Sequence, residues 1–168
     1  IYHSNWRYDM SNKRWEFTGE TKIHFGITLK RIRASEEFRL KCGIVIGKGK
    51  PGGWIEKESN LFGDAWGSDN ALVSGNALVC GDARVDGNAR VSGYAEIKSS
   101  EDYCVYKNTW SSFRWFTYTR SNKMWSVGCF YGTGAELIAK AYKDSEKSGK
   151  CYEAIVKAQE AIEKAMYT

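Results

Sequence analysis

The sequence has 168 residues, a net charge of +5, 42% hydrophobic and 14% aromatic residues, so it can bury one sizeable core or two small ones. No apolar run approaches membrane-spanning length and nothing resembles a signal peptide, so we expect no membrane partner. The five cysteines are odd in number and never spaced as C-x-x-C. They argue against a zinc site or a disulfide framework, and we expect reduced thiols in a cytoplasm.

Charge is unevenly distributed along the chain. Residues 1–54 contain eleven Lys/Arg against five Asp/Glu, residues 55–102 four against nine, and residues 103–168 ten against six. Basic flanks favour an anionic partner, although such a surplus is also typical of a solvated face. An acidic centre between them makes a poor track for duplex DNA, which we therefore do not expect as a partner.

Residues 1–54 are predicted to form an N-terminal β region. Met10-Ser11 looks like an ordinary start, so residues 1–9 are either a native extension or an added segment. Apolar and polar residues alternate over 13–18, and Gly19 is expected to end that strand.

A second β-prone run covers residues 23–34, with a turn at Gly26. Strand alternation places Arg31 and Arg33 on one face of this run. Paired guanidinium groups suit phosphate or carboxylate, and an exposed charged strand is the alternative interpretation. Trp54 is expected to cover the apolar end of the segment that follows.

Residues 55–102 repeat every six residues. An aliphatic residue opens nearly every hexad, Ala usually stands four places later, and a Gly-Asn or Gly-Asp pair often lies between them. Gly67 stands where an aliphatic residue is expected, so that position is either underpacked or filled by Trp66. In register the segment reads IEKESN, LFGDAW, GSDNAL, VSGNAL, VCGDAR, VDGNAR, VSGYAE and IKSSED.

This pattern resembles the hexapeptide-repeat proteins, which form left-handed parallel β-helices with three hexads in each coil. The resemblance implies a short solenoid of two to three coils with the aliphatic residues in rows inside. The resulting fold class is mainly β: a short left-handed β-helix flanked by an N-terminal β region and a C-terminal β-hairpin with two helices.

Residues 103–168 follow a different pattern. Residues 103–126 carry eight aromatic residues, and no Asp or Glu occurs between Asp102 and Glu136. Two strands are predicted over 113–119 and 124–130, joined by residues 120–123. The aromatic rings either stack on a ligand or seal the end of the solenoid.

Two helices are predicted at the C-terminal end. Thr133 and Glu136 form a capping-box signature, and the first helix is expected to end before Ser148-Gly149. The second is predicted over about residues 150–166, and its apolar face contains Tyr152, Ile155, Val156, Gln159, Ile162 and Met166.

Segments 15–22, 29–34, 52–58 and 128–133, with the two helices, resemble a narrower family of small hexapeptide proteins found in bacteriophages and prophages. Members commonly have no assigned activity. The resemblance implies a viral origin and a location in the cytoplasm of an infected or lysogenic bacterium.

Many hexapeptide-repeat enzymes transfer acetyl groups from coenzyme A and rely on a histidine base near the coils. Here the two histidines, His3 and His24, precede the repeat, and the repeat lacks the inserted loop that usually completes such a site. We therefore expect no catalysis, cofactor or metal, with an acyltransferase as the second alternative.

The expected function is non-catalytic binding of a small anionic, nucleotide-like ligand that serves as a host defence signal. The first alternative is an inhibitor or scaffold that uses the solenoid face against another protein, such as a host defence protein. A homo-oligomer is expected, a trimer ahead of a dimer. The candidate ligand-binding residues are Arg31, Arg33, Arg114, Trp115, Tyr118 and Arg120.

Overall fold

The computed structural model describes residues 13–168, which are mainly β with two helices at the C-terminal end. The stretch 1–9, whose origin the sequence leaves open, lies outside the described residues. The strands are β1 (Trp15–His24), β2 (Ile27–Ala34), β3 (Phe38–Arg39), β4 (Val45–Ile46), β5 (Pro51–Ile55), β6 (Trp66–Gly67), β7 (Leu72–Val73), β8 (Leu78–Val79), β9 (Arg84–Val85), β10 (Arg90–Val91), β11 (Glu96–Ile97), β12 (Tyr103–Lys107), β13 (Trp115–Thr119), β14 (Met124–Val127) and β15 (Phe130–Thr133). The helices are α1 (Gly134–Asp144) and α2 (Glu146–Tyr167).

The short strands of the repeat pair in parallel with strands that lie three hexads further along the chain. In the first ladder Trp54 lies opposite Leu72, and Leu72 lies opposite Arg90, so the order is β5, β7, β10. A second ladder joins β8 to β11, and a third joins β6 to β9. Because partners are three hexads apart, each hexad carries the chain from one ladder to the next.

The aliphatic positions of the repeat form its interior, as the hexad pattern predicts. The seven aliphatic residues that open the hexads are at most 1% exposed, and each such side chain contributes roughly 1.5–3 kcal/mol by leaving water. Gly67 faces Val85, and a Cβ placed on it would meet no atom within 4 Å. Trp66 is fully buried beside it, with its ring centroid 5.6 Å from that of Phe38.

The N-terminal β region closes one end of the repeat. Strand β2 pairs antiparallel with both β1 and β5, which covers the edge of the first ladder. Trp15 is 2% exposed and its Nε1 donates a hydrogen bond of 3.1 Å to the Leu61 carbonyl. The expectation that Trp54 covers this end was wrong, because Trp54 lies half-buried on the outer face of the first ladder while Trp15 and Phe38 join the core.

Gly19 does not end the first strand, contrary to expectation. Strand β1 continues to His24, and its register against β2 shifts between Phe17 and Thr21. Gly19 has φ +93° at this irregularity, a conformation that glycine adopts without steric cost. The extra length brings His24 to the tip of the β1–β2 hairpin.

A four-stranded antiparallel sheet, β12–β15, closes the other end of the repeat, where a two-stranded hairpin was predicted. Residues 103–107 add a strand before the hairpin, and the strand predicted over 124–130 is divided by a turn into β14 and β15. The predicted turn at residues 120–123 is confirmed, since it connects β13 to β14. Hydroxyl groups of this sheet pair with the last strand of each ladder, where β-strand N–H groups would otherwise lack partners. The Arg90 N–H donates to Thr117 Oγ1 (2.9 Å), the Glu96 N–H to Ser121 Oγ (2.8 Å) and the Asp86 N–H to the Tyr103 hydroxyl (3.3 Å).

The predicted capping box of α1 is confirmed. Thr133 Oγ1 accepts from the Glu136 N–H at 3.3 Å, and Glu136 Oε2 accepts from the Thr133 N–H at 2.8 Å. The boundary between the helices was predicted too late, because Ser145 caps α2 and Gly149 lies inside it, packed against the ring of Tyr142.

The predicted apolar face of α2 is buried only over its first half. Tyr152, Val156 and Gln159 are buried, whereas Ile162 and Met166 are 46% and 50% exposed. The buried half packs on the sheet β12–β15 and forms a second core. In residues 13–168 neither helix combines the length and the apolar composition needed to cross a bilayer.

Candidate anion-binding groove

A groove of about 420 Å³ lies where the β1–β2 hairpin, the first ladder and the C-terminal sheet meet. Strand β1 contributes residues near its end, β7 and β10 contribute the floor, and the chain at the start of β13 contributes the opposite wall. Its lining residues are Lys22, His24, Phe25, Asn70, Leu72, Asn88, Arg90, Arg114, Trp115 and Gly128.

The groove is cationic, and no carboxylate of the described residues 13–168 lines it. Within residues 13–168, Lys22, Arg90 and Arg114 form no ion pair with any Asp or Glu. Burial lowers the pKa of Lys22, with Arg31 adding to the effect, and burial also lowers the pKa of Arg90. These charges are therefore partly desolvated without a counter-ion, which is the condition that an anion relieves.

Arg90 is held in a fixed orientation at the centre of the floor. Its NH1 donates to the Gly128 carbonyl at 2.7 Å, and its Cζ lies 5.2 Å from the centroid of the Phe25 ring. One hydrogen bond and one ring contact leave the rest of the guanidinium fork available, and this planar fork matches the geometry of phosphate oxygens.

His24 faces the same groove with an unsatisfied nitrogen. Its Nε2 is buried and has no hydrogen-bond partner among the described residues. Its ring lies 4.5 Å from that of Phe25, in an edge-to-face arrangement. Burial lowers its pKa, and the charges of Arg90 and Lys22 lower it further, so the imidazole is neutral at pH 7.

Two aromatic rings flank these cations. Trp115 is 42% exposed, and Lys107 Nζ lies 5.4 Å from its ring centroid. Phe25 is 56% exposed at the hairpin tip. Exposed planes beside free cations can stack on a nucleobase while the cations hold its phosphate.

The Phe25 conformation is unusual for a bulky residue. Phe25 and Gly26 have φ values of +48° and +78°, as a two-residue hairpin turn of the primed type requires. Asn or Gly adopts the first position readily, whereas a left-handed aromatic residue costs about 1–2 kcal/mol. Strain of this kind is concentrated at functional sites.

A smaller cavity of about 160 Å³ continues from the groove. It shares His24, Phe25, Leu72, Arg90 and Gly128 with the groove, and it is closed by Phe130 and Tyr131 of β15. Cys129, an exposed free thiol, lies on its lining. The groove is therefore open to solvent on the Trp115 side and narrows toward β15.

Of the six predicted ligand-binding residues, Arg114 and Trp115 line the groove. Arg31 lies at its edge, because its Cζ is 5.5 Å from the Trp54 ring over which Lys22 also sits at 4.2 Å. However, its NH1 is 3.4 Å from Glu20 Oε2, so its charge is partly neutralised.

The remaining three predicted residues lie elsewhere, so within one chain residues 13–168 do not bring all six together in one pocket. Arg33 pairs with Glu16, directly opposite on β1, at 2.7 Å. Tyr118 is 5% exposed and donates to Glu163 at 2.8 Å, and this contact, after burial, raises its pKa. Arg120 pairs with Asp102 at the end of the repeat, where Asp102 also accepts a hydrogen bond from the Ser99 N–H.

The aromatic stretch is divided between packing and exposure. Trp115 and Phe113 are 42% and 67% exposed. Five others form the second core with Tyr152 of α2: Tyr106, Trp110, Phe116, Tyr118 and Trp125.

Sequence reasoning missed Lys22, His24, Phe25 and Arg90 as groove residues. A signal for Arg90 was present, since a coil of three hexads aligns Trp54, Leu72 and Arg90 in one outward row. The hairpin residues gave no such signal, because their position depends on how the hairpin folds over the first ladder. Comparison of the chain with protein-family models, with curated proteins and with solved structures gave no match.

Proposed function

We propose that this protein binds a small anionic, nucleotide-like ligand in the groove and does not transform it. The observation that carries the proposal is the convergence of Lys22, Arg90 and Arg114 beside two exposed aromatic rings, with no carboxylate from residues 13–168. Cations in folded proteins are ordinarily paired or fully solvated, whereas Lys22 and Arg90 are partly desolvated and form no ion pair within residues 13–168. Together with the exposed charge of Arg114 they favour an anionic ligand in this concave surface.

The expected contributions can be compared with the free energy that micromolar binding needs. A hydrogen bond to a charged group contributes about 1.5–3 kcal/mol, and stacking of one base adds about 1–3 kcal/mol. Two such hydrogen bonds and one stacked base sum to about 4–9 kcal/mol before the cost of association, whereas micromolar binding needs about 8 kcal/mol after it, so micromolar affinity requires strong contacts from all three cations together with the stacked ring. A volume of about 420 Å³ lies within the usual range for small-molecule sites.

Sequestration of a nucleotide signal used in host antiviral defence is the role we propose for this binding. The support is the resemblance to phage hexapeptide proteins together with the cationic groove. We also propose that the three ladders wind as a left-handed β-helix, since an offset of three hexads is the length of one coil in that fold. A homotrimer remains the proposed assembly.

The test is titration calorimetry with a panel of cyclic and linear nucleotides at low salt. Arg90→Ala and Arg114→Ala should each weaken binding about tenfold or more, and added salt should weaken it further. Arg84→Ala is the matched control, because Arg84 has the same position in its hexad but lies on the third ladder, 3.1 Å from Asp86. Equal losses for Arg84→Ala and Arg90→Ala would contradict the groove, and no heat across the panel would favour the protein-inhibitor alternative.

One observation favours an acyltransferase as a second candidate. His24 precedes the repeat in sequence but lies against β7 and β10 in space, where a base could face a bound substrate. In the part of the chain that the structure describes, no carboxylate lines this cavity to orient the imidazole. We expect no turnover of acetyl-coenzyme A with amine or hydroxyl acceptors; turnover abolished by His24→Gln would establish the enzyme instead.

A further inference from the structure

The nitrogen Nε2 of His24 is the feature of the groove that the proposed function leaves unexplained. It is buried, and no described residue is within hydrogen-bond reach of it. Buried polar atoms in folded proteins nearly always have a partner. Because His24 lines the groove while this nitrogen is closed to solvent, a bound group reaches the nitrogen through a rotation of the imidazole ring and supplies the partner that it lacks.

The elements around His24 bring it cations and no carboxylate. Lys22 comes from the same strand, Arg90 from β10, and Arg114 from the chain before β13. The thiol of Cys129 comes from the β14–β15 turn, while β2 and β7 contribute only Ile27, Leu29 and Leu72. Burial, then Arg90, then Lys22 lower the pKa of His24, so its imidazole is uncharged in the empty groove at neutral pH.

An anion bound in the groove favours the protonated form of His24. A phosphate held by Arg90 and Lys22 neutralises the two charges that disfavour the imidazolium, and it also supplies an acceptor for Nε2–H. The neutral histidine has no donor at Nε2 when its proton is on Nδ1, whereas the protonated form donates from both nitrogens.

We propose that His24 contacts the phosphate of the ligand through Nε2 and takes up a proton as the phosphate binds. This inference rests on the proposed function and specifies it: the preferred ligands are phosphorylated, and their affinity increases as the pH falls. Uncharged nucleosides gain nothing from the protonation. The increase reaches at most about tenfold per pH unit between the free and bound titration midpoints.

The experiment is proton NMR titration of the histidine rings in the full chain. The sequence contains two histidines, His3 and His24, and His3→Gln assigns both signals. Sulfate is the probe, because it mimics phosphate and keeps a constant charge between about pH 5 and pH 8, where histidine titrates. Chloride at equal ionic strength is the control for screening.

In chloride we expect His24 to titrate below the ordinary histidine range. In sulfate we expect its midpoint to rise by about 0.5–1 pH unit, and the sulfate affinity to increase about two- to fourfold from pH 7.5 to pH 6, with a limit of about three- to tenfold at lower pH. Arg90→Ala should abolish both effects. His24→Gln should weaken sulfate binding at pH 6 and remove most of its dependence on pH.

The two proposals fail in different ways. If sulfate binds in an Arg90-dependent manner and the His24 midpoint does not move, the proton-coupled contact is overturned and the binding groove stands. If neither sulfate nor any nucleotide of the panel binds, both proposals are overturned.

Discussion

Replacing Thr117 by Val tests whether the C-terminal sheet closes the first ladder by a hydrogen bond. Thr117 is fully buried, and its Oγ1 accepts the N–H of Arg90 at 2.9 Å. Valine has the same shape and a similar strand propensity, so the substitution removes the acceptor and little else. The N–H of Arg90 is then left without a partner at the junction of the two cores.

The expected cost follows from that single lost acceptor. An unsatisfied buried N–H costs about 1–3 kcal/mol, and the added methyl group returns up to about 0.8 kcal/mol. The net destabilisation is about 1–2 kcal/mol, or roughly 3–6 °C in the melting temperature of a chain of this size.

The assay combines thermal unfolding with amide hydrogen exchange at Arg90. Ser121→Ala is the control, because Ser121 makes the equivalent contact to the Glu96 N–H but is exposed, so water replaces it. We expect less than about 0.5 kcal/mol for Ser121→Ala and faster exchange of the Arg90 amide only in Thr117→Val. Equal melting temperatures for the two variants, with unchanged Arg90 exchange, would refute the capping argument.

Three further outcomes are expected. Val85→Asp buries a carboxylate in the interior of the repeat and should cost several kcal/mol in thermal unfolding. Arg84→Asp beside it should cost less than about 1 kcal/mol, and similar values for the two variants would refute the hexad register. Phe25→Asn relieves the left-handed strain and should leave the melting temperature equal or higher, while calorimetry shows weaker nucleotide binding; full affinity would exclude stacking on Phe25. Light scattering at micromolar concentration should give the mass of a trimer, and a monomer mass would contradict the proposed assembly.

The features that could be predicted from the sequence are those with a short repeat or a local signal. The aliphatic rows follow from a six-residue period, because each hexad repeats the same environment. The capping box of α1 depends on Thr133 and Glu136 alone, and the turn before β14 depends on adjacent residues. Each of these is a property of a few neighbouring positions.

The groove could not be predicted because it depends on registers between distant segments. Arg33 looked free in sequence, but the irregularity at Gly19 sets the register that brings Glu16 opposite it. Arg120 and Asp102 likewise meet only because β13 ends beside the last hexad. Conversely, His24 is a groove residue only because the hairpin tip packs against β7 and β10.

Because paired strands are three hexads apart, the repeat separates the two regions that close it by a distance that changes only in steps of three hexads. An insertion of three hexads would return each strand to its own ladder, so the N-terminal β region and the sheet β12–β15 would still meet the same ladders. An insertion of one hexad would shift every ladder by one position, so each hydroxyl group of the C-terminal sheet would face a different ladder. Three added hexads lengthen each ladder by about 4.8 Å, the distance between neighbouring strands. Lys22 and His24 belong to one end of the repeat and Arg114 and Trp115 to the other, so the number of hexads sets the span of the groove and hence the size of the anion that can bridge it.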